Sequence, residues 1–215
     1  MTHSVAVVLI ALAILLLLYV LIIAYLILIN RKQKQETIFN HNDYLIVFAS
    51  QSGQAENFAR QSAQQLQNIG QTVTVVDIQY LNVEQLLQAN KVLWFVSTYG
   101  EGDAPDTARM AVKKIFSHSA LDLSHQSYAI LALGDKRYSN FCQFGQLLNQ
   151  HLQQHHAQAL FEMICVDHLK QVDLNLWTQH LEQLTQQLFT PVEQAQNWHS
   201  FILKKSGVFK WRLSR

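Results

Sequence analysis

Three short segments, each containing a glycine and following an apolar run, carry the residues that could do chemistry in this chain. The middle one, residues 97–106, follows the run 92–96 and is therefore predicted to be a loop at the end of a strand. Gly100 and Gly102 allow the backbone a positive φ and a close approach to a flat ligand, and Tyr99 offers an aromatic face. We expect this loop to be the centre of a ligand site.

The segment at residues 50–56 combines a glycine with the hydroxyls of Ser50 and Ser52, between a strand pattern and a helix pattern. Backbone N–H groups at such a turn, together with the helix dipole, favour an anion. The chain has neither the GxxxxGK[ST] motif of NTPases nor the GxGxxG motif of dinucleotide folds at this place. The pattern predicts a monophosphate held by neutral donors, although serine-rich turns also cap helices.

The third segment, residues 133–142, again places a glycine directly after a strand and aromatic residues, Tyr138 and Phe141, a few positions later. In an open parallel sheet, ligands bind outside the carboxyl ends of the strands. One phosphate loop and two aromatic glycine loops at that edge would together hold a planar, phosphorylated ring.

The elements that must position these loops follow an alternating pattern. Short apolar runs predict five strands, at residues 44–49, 73–77, 92–97, 128–133 and 160–166. Amphipathic patterns predict helices at residues 54–69, 82–89, 107–117, 141–156 and 173–188. This alternation is typical of an α/β domain, here over residues 43–190, with a five-stranded parallel sheet and helices on both faces.

The N-terminal region differs in composition from this body. Residues 5–29 are uncharged and largely aliphatic, and a helix of that length would cross a hydrocarbon core of about 30 Å. Arg31, Lys32 and Lys34 follow directly, so residues 1–35 are predicted to be a single-pass anchor in the inner membrane, with the body in the cytoplasm. The two cysteines form no disulfide framework.

Charge is unevenly distributed along the chain. Residues 36–190 carry 14 acidic and 8 basic side chains, a net of −6, whereas the whole chain has a net charge of +1. An acidic body argues against a nucleic-acid partner and is compatible with docking to a basic protein. The basic, aromatic tail at residues 191–215 is predicted to contact a partner or a membrane surface.

Two histidines, His151 and His155, are spaced four apart on a predicted helix and could chelate a metal ion. No carboxylate or cysteine joins them in sequence, so no metal site is predicted.

Taken together, residues 50–56, 97–106 and 133–142 resemble the three FMN loops of the flavodoxin-like domain of diflavin reductases, the family of NADPH–cytochrome P450 reductase and the sulfite reductase flavoprotein. The third loop is most similar to the sulfite reductase type. The resemblance covers about residues 43–188 and implies FMN as the cofactor.

By this resemblance, the first loop would bind the FMN phosphate through Ser50, Gln51, Ser52, Gly53, Gln54 and Ala55. The second would lie against one face of the isoalloxazine ring through Ser97, Thr98, Tyr99, Gly100, Glu101 and Gly102. The third would cover the other face through Leu133, Gly134, Asp135, Tyr138, Asn140, Phe141 and Cys142, with Asp167 near the ribityl chain or ring edge. Tyr138 is the expected stacking residue, and Phe141 is the alternative.

The resemblance implies electron transfer without a catalytic residue that makes or breaks bonds. Diflavin reductases continue into FAD and NADPH domains that residues 1–215 do not contain, which implies either a separate NAD(P)H-dependent reductase as donor or a fragment of a longer reductase. Electrons would pass singly to an acceptor protein, guided by the carboxylates of Glu101, Asp103, Asp106 and Asp135. Two other hypotheses remain open, a flavodoxin-fold NAD(P)H:quinone reductase and a scaffold that has lost the flavin.

Overall fold

The computed structural model describes residues 15–16, 18–23, 44–100, 102–117, 121–189 and 191–192. The chain divides into two units, Met1–Ile38 and Phe39–Arg215, and the second contains every strand of the described residues.

Strands and helices alternate along the second unit. The strands are β1 (Tyr44–Ala49), β2 (Val73–Asp77), β3 (Lys91–Ser97), β4 (Ser127–Gly134), β5 (Gln158–Ala159) and β6 (Ile164–Asp167). The helices are α1 (Gln54–Asn68), α2 (Val83–Gln88), α3 (Asp106–Phe116), α4 (Gln143–Gln154) and α5 (Gln171–Thr185), with a 3-10 helix at Ile78–Tyr80. Each helix begins and ends within three residues of its predicted bounds.

All strand pairs in the sheet are parallel, and the spatial order is β2-β1-β3-β4, with β5 and β6 both beside β4. The order reverses between β1 and β3, because the chain first adds β2 on one side of β1 and then crosses to the other side. A parallel α/β sheet is therefore confirmed. The carboxyl ends of β1 and β3 form the topological switch point at which ligands bind in such sheets.

The predicted fifth strand at residues 160–166 is interrupted. β5 pairs with the start of β4 and β6 with its end. The N–H of Leu160 still donates to the carbonyl of Tyr128 at 2.7 Å, and residues 161–163 then leave the sheet edge. Phe161 explains this departure, since its ring stacks on His180 at a centroid distance of 4.3 Å and meets Trp177 edge-on at 5.6 Å. Packing against α5 thus replaces ladder hydrogen bonds in the middle of the strand.

Two buried clusters, one on each face of the sheet, hold the layers together. Alternate residues of β3 supply both, with Trp94 in the cluster under α2, α3 and α4 and Phe95 in the cluster under α1 and α5. Trp177 of α5 is fully buried in the second cluster, packs edge-on against Phe95 at 4.9 Å, and donates its indole N–H to Ser62 Oγ at 3.0 Å. Covering both faces in this way is what a parallel sheet requires.

Replacing Ser62 by alanine is expected to lower the free energy of unfolding by about 1 to 2 kcal/mol, because the buried indole N–H of Trp177 would lose its acceptor. Urea unfolding of the full chain measures the effect. As a control, Trp177→Phe should cost less in the Ser62→Ala background than in the wild type. Equal costs in both backgrounds would contradict the importance of this hydrogen bond.

The predicted membrane anchor, residues 5–29, lies mostly outside the described residues. Its described residues, 15–16 and 18–23, are helical. Nowhere in the described ranges is a helix both long and apolar enough to span a membrane. The prediction of a single-pass location in the inner membrane is contradicted by this finding.

Candidate functional site

A cleft of about 430 Å³ opens at the carboxyl ends of β1, β3 and β4, at the switch point of the sheet. Its volume lies in the range usual for cofactor pockets. The lining residues are Ser52, Gln54, Ser97, Thr98, Tyr99, Gly100, Leu133, Gly134, Asp135, Tyr138, Asn140, Cys142, His168 and Leu169. All three predicted loops therefore contribute to one site.

Some predicted site residues do not line the cleft. Those in the three loops are Ser50, Gln51, Gly53, Ala55, Gly102 and Phe141, and Asp167 at the end of β6 is another. Glu101 falls outside the described residues, so its place in the site stays a prediction. His168 and Leu169 line the cleft although the sequence analysis did not include them.

The first loop joins β1 to the N-terminus of α1. Gly53 adopts a left-handed conformation, with φ of 82°, and no side chain caps the helix there. The first-turn N–H groups are therefore not satisfied by a side-chain cap. Ser50 Oγ and Gln54 Oε1 are buried without a hydrogen-bond partner among the described residues. Uncapped amides beside a buried, unpartnered hydroxyl suit a phosphate group.

The second loop is a closed turn. The N–H of Tyr99 donates to the carbonyl of Asp103 at 2.8 Å, and the N–H of Asp103 donates back to Tyr99 at 2.9 Å. Gly100 and Gly102 both have positive φ, of 53° and 117°. Tyr99 is left 57 % exposed at the cleft, and the Oγ1 of Thr98 beside it is buried without a partner in the described part of the chain.

The third loop packs directly on the second. A Cβ added at Gly102 would lie 2.6 Å from Asn140 Cβ and would also overlap the side chain of Gln143. Tyr138 lines the cleft and is 48 % exposed. Phe141 packs against the core cluster under α4 instead, with Lys136 Nζ 5.4 Å above its ring centroid. The structure thus brings Tyr138, rather than Phe141, to the cleft.

Two carboxylates hold the base of the third loop. Asp135 accepts hydrogen bonds from the backbone N–H of Arg137 at 2.9 Å and from its guanidinium Nε at 2.9 and 3.0 Å, which holds the pKa of Asp135 well below its usual range. Asp167 accepts from Lys170 Nζ at 2.6 Å and from the N–H of Lys136 at 3.0 Å, and both bonds lower its pKa. Asp167 therefore supports the loop from behind the cleft.

Acid is expected to weaken this support. Because the folded-state pKa of Asp167 is depressed, its contribution to stability is present above the unfolded pKa of about 4 and is lost as pH falls toward the folded value. Asp167→Asn should therefore give a shallower loss of stability below about pH 4 than the wild type. Urea midpoints of the full chain, measured from about pH 3 to 7, test this, and parallel curves would contradict it.

The side chains of His151 and His155 lie beside an aromatic ring of α3. Both rings pack against Phe116, with centroid distances of 5.1 and 5.7 Å, and His155 Nδ1 lies 2.8 Å from the carbonyl of Leu121. Within the described ranges no three His, Cys, Asp or Glu side chains are grouped so that they could hold a metal ion.

The cleft fits FMN on its own chemistry. Two tyrosines from different loops offer aromatic faces, the uncapped N-terminus of α1 offers amide donors, and the hydroxyls of Ser50 and Thr98 are buried without partners in the described part of the chain. A buried hydroxyl without a hydrogen-bond partner is unfavourable unless a ligand supplies that partner. Fold and cleft together define an α/β flavin-binding electron-transfer domain with FMN as its cofactor.

Residues 46–176, more than half of the chain, match the family model Flavodoxin, and the chain belongs to that family. The flavodoxin-like fold is therefore confirmed.

Similar proteins and solved structures agree with this assignment. The sulfite reductase [NADPH] flavoprotein alpha-component of Shewanella sp. (strain MR-7) is 37 % identical over 122 residues, which are 57 % of this chain and 20 % of that protein. The chain thus spans about a fifth of the length of such relatives. The solved flavodoxin of Streptococcus pneumonia TIGR4 has a TM-score of 0.59 and 26 % identity, and the match covers 67 % of this chain and 98 % of that one.

Proposed function

We propose that this domain is an FMN-dependent electron carrier that accepts electrons from a separate NAD(P)H-dependent reductase and passes them singly to an acceptor protein. The observation that carries the proposal is the cleft at the switch point, which presents Tyr99 and Tyr138 from two loops at the mouth of a site with an uncapped helix N-terminus. These features bind and orient a flavin without supplying a group that makes or breaks bonds.

We assign the binding roles by loop. The first loop and the N-terminus of α1 hold the phosphate, with Ser50, Ser52 and Gln54 as side-chain partners. The second loop places Thr98 and Tyr99 against one face of the ring system, and the third places Tyr138 against the other. Bound FMN supplies one- and two-electron exchange. The chain's own part is to hold the ring between these loops and to leave one edge open to a partner protein.

The surface around the second loop supports a basic partner. Asp103 and Asp106 are 69 % and 87 % exposed, and the nearby Arg109 guanidinium lies 3.7 and 3.8 Å from their carboxylates without burying them. Asp135 lines the cleft itself, but Arg137 offsets its charge, so Asp103 and Asp106 carry this argument. Negative charge beside an electron-transfer site raises the rate of association with a basic partner and makes that rate sensitive to salt.

The donor is proposed from the relatives. The relatives reported above are sulfite reductase [NADPH] flavoproteins. We propose, by analogy with them, that an NAD(P)H-dependent reductase supplies the electrons to this domain. A diflavin reductase of which this chain is one part remains the alternative, and both arrangements use the same FMN cleft.

Anaerobic reduction of the purified, FMN-loaded full chain tests the proposal. NADPH alone should leave the flavin absorbance unchanged, whereas NADPH with a catalytic amount of an FAD-containing NADPH reductase should reduce it and then reduce cytochrome c, a basic one-electron acceptor. Potentiometric titration should resolve two one-electron steps. Fast bleaching by NADPH alone would favour an NAD(P)H:quinone reductase, and failure to bind FMN would indicate a scaffold.

A further inference from the structure

The chain's two cysteines, 23 positions apart in sequence, lie side by side next to the cleft. Cys142 ends the third loop and precedes α4, while Cys165 lies in β6. The sulfur of Cys142 is 3.3 Å from the carbonyl oxygen of Ala132 in β4, and Ala132 is the residue registered opposite Cys165 in the β4–β6 pair. Both side chains pack with the core cluster on the same face of the sheet.

The two thiols are neighbours on one face of the sheet and differ in environment. A hydrogen bond between their side chains raises the pKa of Cys142, which is fully buried, and lowers that of Cys165. The positive charge of Lys136 lowers the pKa of Cys165 further. Cys165 is also partly exposed, whereas Cys142 is not. Within this pair, Cys165 is therefore the thiolate that reacts first, and Cys142 is the thiol that follows.

We propose that Cys142 and Cys165 are a redox-active dithiol that closes to an intramolecular disulfide and so joins the third loop of the cleft to β6. With a low-molecular-weight disulfide as oxidant, the sulfur of Cys165 attacks one sulfur of the oxidant and releases one thiol. Cys142 then attacks the mixed disulfide and releases the second thiol. The protein loses two electrons and two thiol protons, and the oxidant is reduced to two thiols.

The position of the pair gives the disulfide a consequence for the site. Cys142 lines the cleft, and its backbone N and its sulfur would each lie 2.9 Å from a Cβ at Gly134, so it packs directly on the end of β4. A bond from Cys142 to β6 would restrict the loop that carries Tyr138 and Asn140. Slower release of FMN from the oxidised protein follows, and this consequence, unlike the dithiol itself, rests on the proposed function.

The test equilibrates the reduced full chain in glutathione buffers of graded redox potential and then quenches thiol exchange with acid. Mass spectrometry should show a monomer lighter by two hydrogens and without a glutathione adduct. Because the folded structure already places the two thiols beside each other, its equilibrium constant for closure of the disulfide should exceed that of the chain unfolded in urea by at least about tenfold.

Single variants test the order of attack. Cys142→Ser should retain a stable glutathione adduct on Cys165, whereas Cys165→Ser should leave the buried Cys142 unmodified over the same period. The FMN dissociation rate should be several-fold lower in the oxidised wild type than in the reduced wild type. In either variant it should not change with the redox potential of the buffer.

Three results would overturn the inference. The first is a disulfide-linked dimer of two chains, and the second is a glutathione adduct on both cysteines. The third is two free thiols in the folded chain at a redox potential where the unfolded chain has formed its disulfide. An unchanged FMN dissociation rate in a fully oxidised chain would overturn the restriction of the loop. Failure of FMN to bind at all would count against the proposed function and leave the thiol measurement valid.

Discussion

Gly102→Ala is expected to weaken FMN binding by at least about 100-fold, equivalent to about 2.7 kcal/mol. Two effects combine at this position. A Cβ would collide with Asn140 of the third loop and with Gln143, the first residue of α4. The residue also has φ of 117°, a conformation that alanine rarely adopts and that costs about 1 to 3 kcal/mol. The two loops must therefore separate or reorient, and the cleft between them changes shape.

Gly70→Ala is the matched control for the change at Gly102. Gly70 also has a positive φ, of 81°, but a Cβ there would meet nothing within 4 Å, and the residue lies beyond α1, outside the cleft. Its replacement should lower stability through backbone strain and leave FMN affinity unchanged. Quenching of flavin fluorescence on titration with the full-chain variants gives both affinities. Equal affinities for the Gly102→Ala variant and the wild type would contradict the packing of the second loop on the third as a requirement of the site.

Local signals were sufficient to predict the loops of this site. The apolar run 44–49 became β1 with its predicted bounds, because six consecutive buried residues are typical of an inner strand of a parallel sheet. The glycines at positions 53, 100 and 102 adopt positive φ, and glycine in the sequence correctly indicated these turns because it adopts that conformation without strain. The edge of the sheet was less predictable, since aromatic packing of Phe161 on α5 interrupts the fifth strand and leaves no local signature.

His168 and Leu169 show what sequence reasoning missed in the cleft. Both adopt positive φ, of 48° and 56°, at the turn after β6, although neither is a glycine. The N–H of His168 donates to the carbonyl of Gly134 at 2.9 Å, a long-range contact that no neighbouring residue indicates. One signal was available, because the rule that ligands lie at the carboxyl ends of strands also applies to the strand ending at Asp167.

The sequence likewise did not indicate that the two cysteines are neighbours in the fold. In the sequence, 23 positions separate Cys142 from Cys165 and neither lies in a redox motif, so only the absence of a disulfide framework was predicted. Only the parallel register of β4 with β6 places Cys165 beside Ala132, whose carbonyl accepts from Cys142. Pairings of this kind depend on strand order and register, which are set by the assembled sheet.

Ser50→Ala is expected to lower FMN affinity by roughly 10- to 100-fold and to leave riboflavin affinity unchanged. The Oγ of Ser50 is buried without a hydrogen-bond partner in the described part of the chain, in the loop before the uncapped N-terminus of α1. A hydrogen bond to a charged phosphate is worth about 1.5 to 3 kcal/mol, and riboflavin has no phosphate to accept it. Removing an unpartnered hydroxyl should not destabilise the flavin-free chain, so urea midpoints without ligand should be equal or slightly higher.

Thr98→Val separates the phosphate from the ring as the origin of any loss. The Oγ1 of Thr98 is equally buried and unpartnered among the described residues, but it lines the cleft in the second loop, where the ring system is proposed to lie. This nearly isosteric change should weaken FMN and riboflavin by the same factor. Isothermal titration calorimetry of FMN and riboflavin with both variants gives four dissociation constants, each compared with that of the wild type. Loss of riboflavin binding in Ser50→Ala, or loss of FMN binding alone in Thr98→Val, would show that the flavin lies in the cleft in a different orientation, because each hydroxyl would then face the other end of the cofactor.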